Sequence, residues 1–200
     1  MASNDYHFIT HWRVAGTVKE VYDIIGDAAD LPRWWPSVYL AVGVLDPGDP
    51  ATGLGKVVDL YTKGWLPYTL RWQFRVTEVS ETGYSLEAWG DFDGRGVWTF
   101  AQDGPWVDMT YDWAIRADKP LLRYLSFLLK PIFAANHRWA MARGEESLAL
   151  ELARRRAKTP AARAAVAPPP GPTALPTRPL LAGAAASALL FLGMRRLVRR

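Results

Sequence analysis

From Tyr68 to Val76 the chain alternates without a break: Tyr68, Leu70, Trp72, Phe74 and Val76 share one parity, and Thr69, Arg71, Gln73 and Arg75 share the other. The pattern returns between Trp106 and Arg116, where Val107, Met109, Tyr111, Trp113 and Ile115 oppose Asp108, Thr110, Asp112 and Arg116. Successive side chains of a strand point to opposite faces, so this pattern specifies an antiparallel sheet with one dry face and one wet face. A dry face must be covered by another layer. What covers it is the question the rest of the sequence answers.

Tyr6 to Val14 reads as a first strand, with Tyr6, Phe8, Trp12 and Val14 on one side. Thr17 is an N-cap with Glu20 at capping-box spacing, and Val18, Val21, Tyr22 and Ile25 follow at helical spacing up to Gly26. A second helical piece, Asp27 to Leu31, is expected to end at Pro32. Pro36 biases Trp35 toward an extended conformation, so the next strand is placed at Val38 to Leu45. Further strands are expected at Lys56–Tyr61, Tyr84–Gly90 and Gly96–Gln102, the last two linked by Asp91-Phe-Asp-Gly, and Asp103-Gly104-Pro105 is a hairpin turn. The period then changes. Pro120 opens a helix in which Leu121, Leu125, Leu128, Ile132, Phe133, Asn136 and Trp139 recur at spacings of three and four, with Pro131 able to kink or divide it. Only this helix is long enough to cover the sheet.

Charge divides the chain. All 20 acidic residues precede residue 158, while seven of the 24 Lys and Arg, Lys158 included, lie in 158–200, so the body is net −3 and the remainder +7. An acidic body argues against a nucleic-acid-binding domain. Residues 158–178 form an Ala- and Pro-rich linker, and 179–200 an apolar segment ending in Arg195, Arg196, Arg199 and Arg200. That tail suits an anionic membrane surface, either as a span or lying in the interface. With 1–157 as the folded domain and a polar start that lacks a secretory signal, the expectation is a cytoplasmic domain that is membrane-associated through its C-terminus. No cysteine is present, which removes disulfides, thiolate metal sites and a cysteine nucleophile.

Three segments resemble one superfamily: VYDIIGDAADLPRWWP ending at Pro36, WTFAQDGPWVDMTYDW from Trp98 to Trp113, and NHRWAMARGEESLALEL from Asn136 to Leu152. They are similar to START-like (SRPBCC) proteins of the polyketide cyclase/dehydrase-like branch, over roughly residues 6–156. The resemblance implies an α+β helix-grip fold, a curved antiparallel sheet wrapped around a long C-terminal helix. It also implies a cavity between them for a lipid, polyketide or aromatic molecule. Such families include cyclases and dehydratases, and fold alone does not choose between binding and catalysis.

The candidate cavity residues are Trp34, Trp35, Trp72, Phe74, Trp98, Phe100, Tyr111, Trp113, Phe133 and His137. Each aromatic among them serves equally well as ordinary core. Trp34 and Trp35 are expected to flank the mouth. His137 and Tyr111 are the weak candidates for an acid–base role, against which stands a helix histidine bonded at the rim. His7 and His11, four apart on a strand, lie about 13 Å from each other, too far to share a metal, and read as exposed. Arg71, Arg75, Asp108 and Asp112 read as solvated charges of the wet face. No metal and no cofactor is called for. Three functions remain open: an apolar-ligand binding module, a cyclase or dehydratase, and a membrane-associated structural or regulatory protein whose own tryptophans fill the cavity. A cavity smaller than about 300 Å³ would favour the last.

Overall fold

The computed structural model describes residues 5–117 and 120–174, with side-chain surroundings for all of these except 117 and 120–129. Seven strands form one curved antiparallel sheet: β1 (Asp5–Ala15), β2 (Tyr39–Asp46), β3 (Val57–Lys63), β4 (Thr69–Ser80), β5 (Gly83–Gly90), β6 (Phe92–Asp103) and β7 (Trp106–Ala117). Their order is β1-β7-β6-β5-β4-β3-β2. The helices are α1 (Val18–Ile25), α2 (Leu31–Trp34), α3 (Pro120–Arg156) and α4 (Pro160–Ala164), with a 3-10 turn at Ala28–Asp30. The chain lays β1 at one edge, crosses through α1 and α2 to β2 at the other, and returns strand by strand until β7 pairs with β1.

The local signals explain most boundaries. Thr17 Oγ1 accepts from the Glu20 N–H while Glu20 Oε2 accepts from the Thr17 N–H at 2.9 Å, the reciprocal cap that starts α1. Asp103 pairs with Trp106 around the two-residue Gly104-Pro105 turn, which fixes the β6–β7 register and sets Trp98 opposite Tyr111 and Phe100 opposite Met109. β4 runs past Val76 to Ser80 through a register shift between Val76 and Glu78, and this bulge is why the sequence alternation stops there.

Four expectations are corrected. Pro32 sits in the first turn of α2 instead of ending a helix, because the first turn needs no N–H from it. Phe92, Asp93 and Gly94 belong to β6, paired with Ala117, Arg116 and Ile115, so the β5–β6 connection is shorter than Asp91-Phe-Asp-Gly. α3 passes through Pro131 as one helix. Its expected stripe holds only in part: Phe133 and Asn136 face the sheet, Ile132 is exposed, Leu121, Leu125 and Leu128 lie outside the described side chains, and among the described residues Met141, Ser147, Leu148, Glu151 and Leu152 are buried. Small and polar residues on that face, Gly144 and Ser147 among them, hide it from a reading based on large apolar side chains.

The exposed face carries the histidines and charges as expected. His7 Nε2 meets Asp112 Oδ1 at 2.8 Å, His11 Nδ1 lies 3.2 Å from Thr110 Oγ1, and Arg13 grips Asp108 and Asp103. Among the described residues no group of His, Asp or Glu is placed to hold a metal ion, and no helix is long and apolar enough to cross a membrane. The tail, 179–200, lies outside the described residues. Of the linker, residues 158–174 are described. They form α4 and then an irregular stretch that returns to the body, where Arg154 Nη2 donates to the Ala167 carbonyl and Thr173 Oγ1 donates to the Gly64 carbonyl.

Candidate functional site

Two adjoining chambers lie between the concave face of the sheet and α3. The outer one has a volume of about 140 Å³ and the inner one about 60 Å³. Trp35, Tyr39, Trp72, Tyr111 and Met141 line both and form the partition. Each element contributes by parity. β4 presents Leu70 and Trp72, β7 presents Tyr111, Trp113 and Ile115, β1 presents Tyr6 and Phe8, and α3 presents Phe133, Asn136, His137, Ala140 and Met141.

Of the ten residues marked on the sequence, Trp35, Trp72, Tyr111, Trp113, Phe133 and His137 line the outer chamber. Trp34, Phe74 and Trp98 line the inner one. Phe100 lines neither; it is 1% exposed and packs on Tyr22, Tyr84 and Trp98. Trp34 and Trp35 are not at the mouth. Trp34 is wholly buried, and Trp35 is pressed so closely on α3 that a Cβ at Gly144 would stand 2.3 Å from its ring. The half-buried Tyr6, Tyr68, Phe133 and Asn136 border the outer chamber toward the surface. Tyr6, Phe8 and Tyr68 were readable from strand parity as inward-facing, while Tyr39 and Lys63 gave no sequence signal.

The chemistry of the walls is aromatic and mostly neutral. Tyr111 is stacked between Trp98 at 4.4 Å and Trp113 at 5.5 Å. Its hydroxyl passes over Gly96, where a Cβ would lie 2.6 Å from it, so only glycine fits beneath. Burial drives the Tyr111 hydroxyl well up, with Tyr39, Tyr84 and Asp112 adding to the effect; burial alone raises Tyr39 and pushes Tyr68 up to about 12 with help from Tyr6. These phenols are protonated at neutral pH and can donate a hydrogen bond. The Trp72 indole N–H donates to Thr62 Oγ1 at 3.1 Å. The buried indole N–H groups of Trp12, Trp34 and Trp35, all lining the inner chamber, have no acceptor among the described residues.

His137 stacks on Phe8 with ring centres 4.2 Å apart, and its Nε2 lies 3.3 Å from Thr10 Oγ1. Burial, with Arg138 beside it, lowers its pKa to about 4. It is therefore neutral at pH 7, a hydrogen-bonding wall group and a weak base. Asn136 Oδ1 accepts from the Trp65 and Leu66 N–H groups and ties the β3–β4 loop to α3 beside the outer chamber. Two larger hollows lie elsewhere. One of about 470 Å³ sits between α1, the 3-10 turn and the β2–β3 loop, bounded by Phe74 and Tyr84 of the inner chamber; another of about 600 Å³ is lined by residues 77–78, 85–89, 93–95 and Ala114.

No family model and no curated protein matches the chain. Solved structures do. A protein of Thermus thermophilus superposes with a TM-score of 0.58 at 16% identity, over 72% of this chain and 97% of its own. An aromatase/cyclase from Streptomyces sp. R1128 superposes with a TM-score of 0.59 at 16% identity, over 76% of this chain and 95% of its own. A di-domain aromatase/cyclase from the steffimycin biosynthetic pathway matches with a TM-score of 0.56 at 16% identity, over 78% of this chain and 53% of its own. At such identities the likeness is one of fold.

Proposed function

The chain has the SRPBCC, polyketide cyclase-like fold, and from that premise we propose that it binds a compact apolar molecule, ring-containing by preference, between its sheet and α3. The observation that carries this reading is the outer chamber, walled by Trp35, Trp72, Tyr111, Trp113 and Phe133. Flat aromatic walls favour flat ligands, and burial of apolar ligand surface contributes about 25 cal/mol per Å² before ordering costs.

Volume sets the scale of the ligand. A dry cavity of about 150 Å³ accepts a benzene-sized guest. The outer chamber, at about 140 Å³, therefore takes one ring as it stands. A larger ligand requires the partition of Trp35, Tyr39, Trp72, Tyr111 and Met141 to yield and join the two chambers. The same small volume favours a second reading, in which the aromatic side chains themselves fill the space and the fold serves a structural role, since ligand pockets commonly hold about 300–1,000 Å³. A cyclase or dehydratase reading rests on His137 and Tyr111, and it predicts turnover that His137→Ala abolishes without unfolding the protein.

Native mass spectrometry and organic extraction of the protein from its own host separate the first two readings. A stoichiometric apolar compound, bound about tenfold more weakly by Trp72→Ala, supports binding. An empty protein that also fails to bind benzene-sized probes assigns the cavity to its own side chains.

A further inference from the structure

The segment that returns from α4 reaches the mouth of the outer chamber. There Thr173 donates its hydroxyl to the Gly64 carbonyl at 3.1 Å, and its own carbonyl accepts from the buried Lys63 ammonium. Gly64 lines the chamber and packs on Asn136 so closely that no Cβ would fit between them. Asn136 Oδ1 accepts from the Trp65 N–H at 2.9 Å, so the β3–β4 loop is held by α3 and by the returning segment together. Two large apolar side chains stand out from this junction. Trp65 is 42% exposed, and Ile132, one helical turn before Asn136, is 41% exposed. Tyr68, three residues after Trp65, and Phe133, next to Ile132, meet edge to face with ring centres 6.5 Å apart, and both line the chamber. The two segments that form this rim, residues 63–68 and 130–138, carry Lys63, Lys130 and Arg138 and no acid.

We propose that the rim around Trp65 and Ile132 docks on an anionic lipid bilayer, with the mouth of the outer chamber turned toward it. The sequence beyond Thr173 supplies the reason. Residues 179–194 carry no charge, Arg178 precedes them, Arg195, Arg196, Arg199 and Arg200 follow, and 175–200 contains no acid. Pro179 is six residues from Thr173, which the extended chain spans in no more than about 22 Å. A surface that takes up this apolar, basic run is therefore brought to the rim. A bilayer also suits what stands there, since tryptophan favours the boundary between headgroups and acyl chains, and anionic headgroups attract Lys and Arg. The tail folded back as its own cover would instead set its arginines beside Lys130 and Arg138, where the rim segments offer no acid. Docking is independent of what fills the chamber; entry of a ligand from the bilayer rests on the binding reading above.

The chain has no cysteine, so a single one can carry an environment-sensitive nitrobenzoxadiazole label. The full chain is labelled in turn at Trp65→Cys, at Ile132→Cys and, as a control, at Ile9→Cys on the outer face of β1, where Ile9 is 58% exposed. Each is titrated with vesicles of mixed phosphatidylcholine and phosphatidylserine. The expected result is a severalfold rise in emission with a blue shift at 65 and 132, and no change at 9. Should the label at 65 disturb the β3–β4 loop, the helix position 132 carries the test alone. Vesicle binding without a change at 65 and 132 overturns the proposal, because the tail then holds the mouth away from the bilayer. An equal change at 9 overturns it as well, since no one face is then turned to the lipid. Blue emission at 65 and 132 before lipid is added, unaltered by vesicles, shows that the tail or a second copy covers the rim instead. Failure to bind vesicles removes the bilayer as the partner and leaves the apolar chamber to be judged by its own ligand test.

Discussion

Single side chains here are defined by what surrounds them more than by their type. His137 is the clearest case. In the unfolded chain its pKa is about 6.5, whereas burial beside Arg138 lowers it to about 4 in the fold. Between these values the unfolded state takes up a proton that the native state refuses. Stability therefore falls as pH drops from about 6.5 toward 4 and levels off below that, by about 2 kcal/mol once partial solvent access is allowed for. The expected outcome is that urea unfolding at pH 7 and pH 5 shows more than half of this loss in the wild type, and that His137→Gln shows much less of it. An equal loss in both proteins would mean that the imbalance arises elsewhere. The window is separable from that of Glu20 and Glu151. Arg156 holds Glu20 at about 2; burial pushes Glu151 up, but Arg33, Arg155 and Arg154 outweigh it and hold it at about 2. Both carboxylates contribute stability that is present above about 4.5 and lost as pH falls through 2.

At the scale of elements, α3 is attached by two devices that differ in kind. One is a polar clamp near its end: Glu151, 2% exposed, accepts from Arg33 of α2 at 2.9 and 2.6 Å, from Arg155 at 2.7 Å and from Arg154 at 3.2 Å. Glu151→Gln leaves three guanidinium groups around a neutral amide, so a loss of about 3 kcal/mol is expected in the denaturant midpoint. A loss below the experimental error would show that the arginines turn to water instead. The other device is steric. Gly144 weakens a helix interior by about 1 kcal/mol relative to alanine. Yet Gly144→Ala is expected to destabilise this protein, because the added methyl would stand 2.3 Å from Trp35 and overpack the junction by about 1–3 kcal/mol. A rise in thermal midpoint for Gly144→Ala would instead show that Trp35 moves aside freely, and the partition between the chambers with it.

For the molecule as a whole, charge is segregated along the chain, with an acidic body followed by a +7 remainder. We expect the full chain to co-sediment with vesicles containing phosphatidylserine and to lose that association in 0.5 M salt, as screening over a few ångströms requires. Replacing Arg195, Arg196, Arg199 and Arg200 with Gln should abolish it at low salt. Association that persists without the arginines would assign the contact to apolar insertion or to the body. A protein that stays in the supernatant under both conditions would remove the membrane from its function.

The sequence by itself determined the strand and helix order, the dry face of β4 and β7, the cap of α1 and the last hairpin. Each of these depends on a period or a turn only a few residues long, and such local geometry is written directly in residue types. Nine of the ten candidate side chains marked on the sequence reach the two chambers, five of them on strands, where alternation sends every second residue to one face. The sequence could not say how those aromatics share the space. That Phe100 packs on α1, that Trp35 divides the cavity and that the inward face of α3 runs through Gly144 and Ser147 are outcomes of packing between segments far apart in the chain. Chamber volume is what remains after that packing, a small difference between large filled volumes, and no local pattern encodes it. Lys63 shows the same limit most plainly: a lysine at a strand end reads as solvated until the chain returns from more than a hundred residues away and covers it.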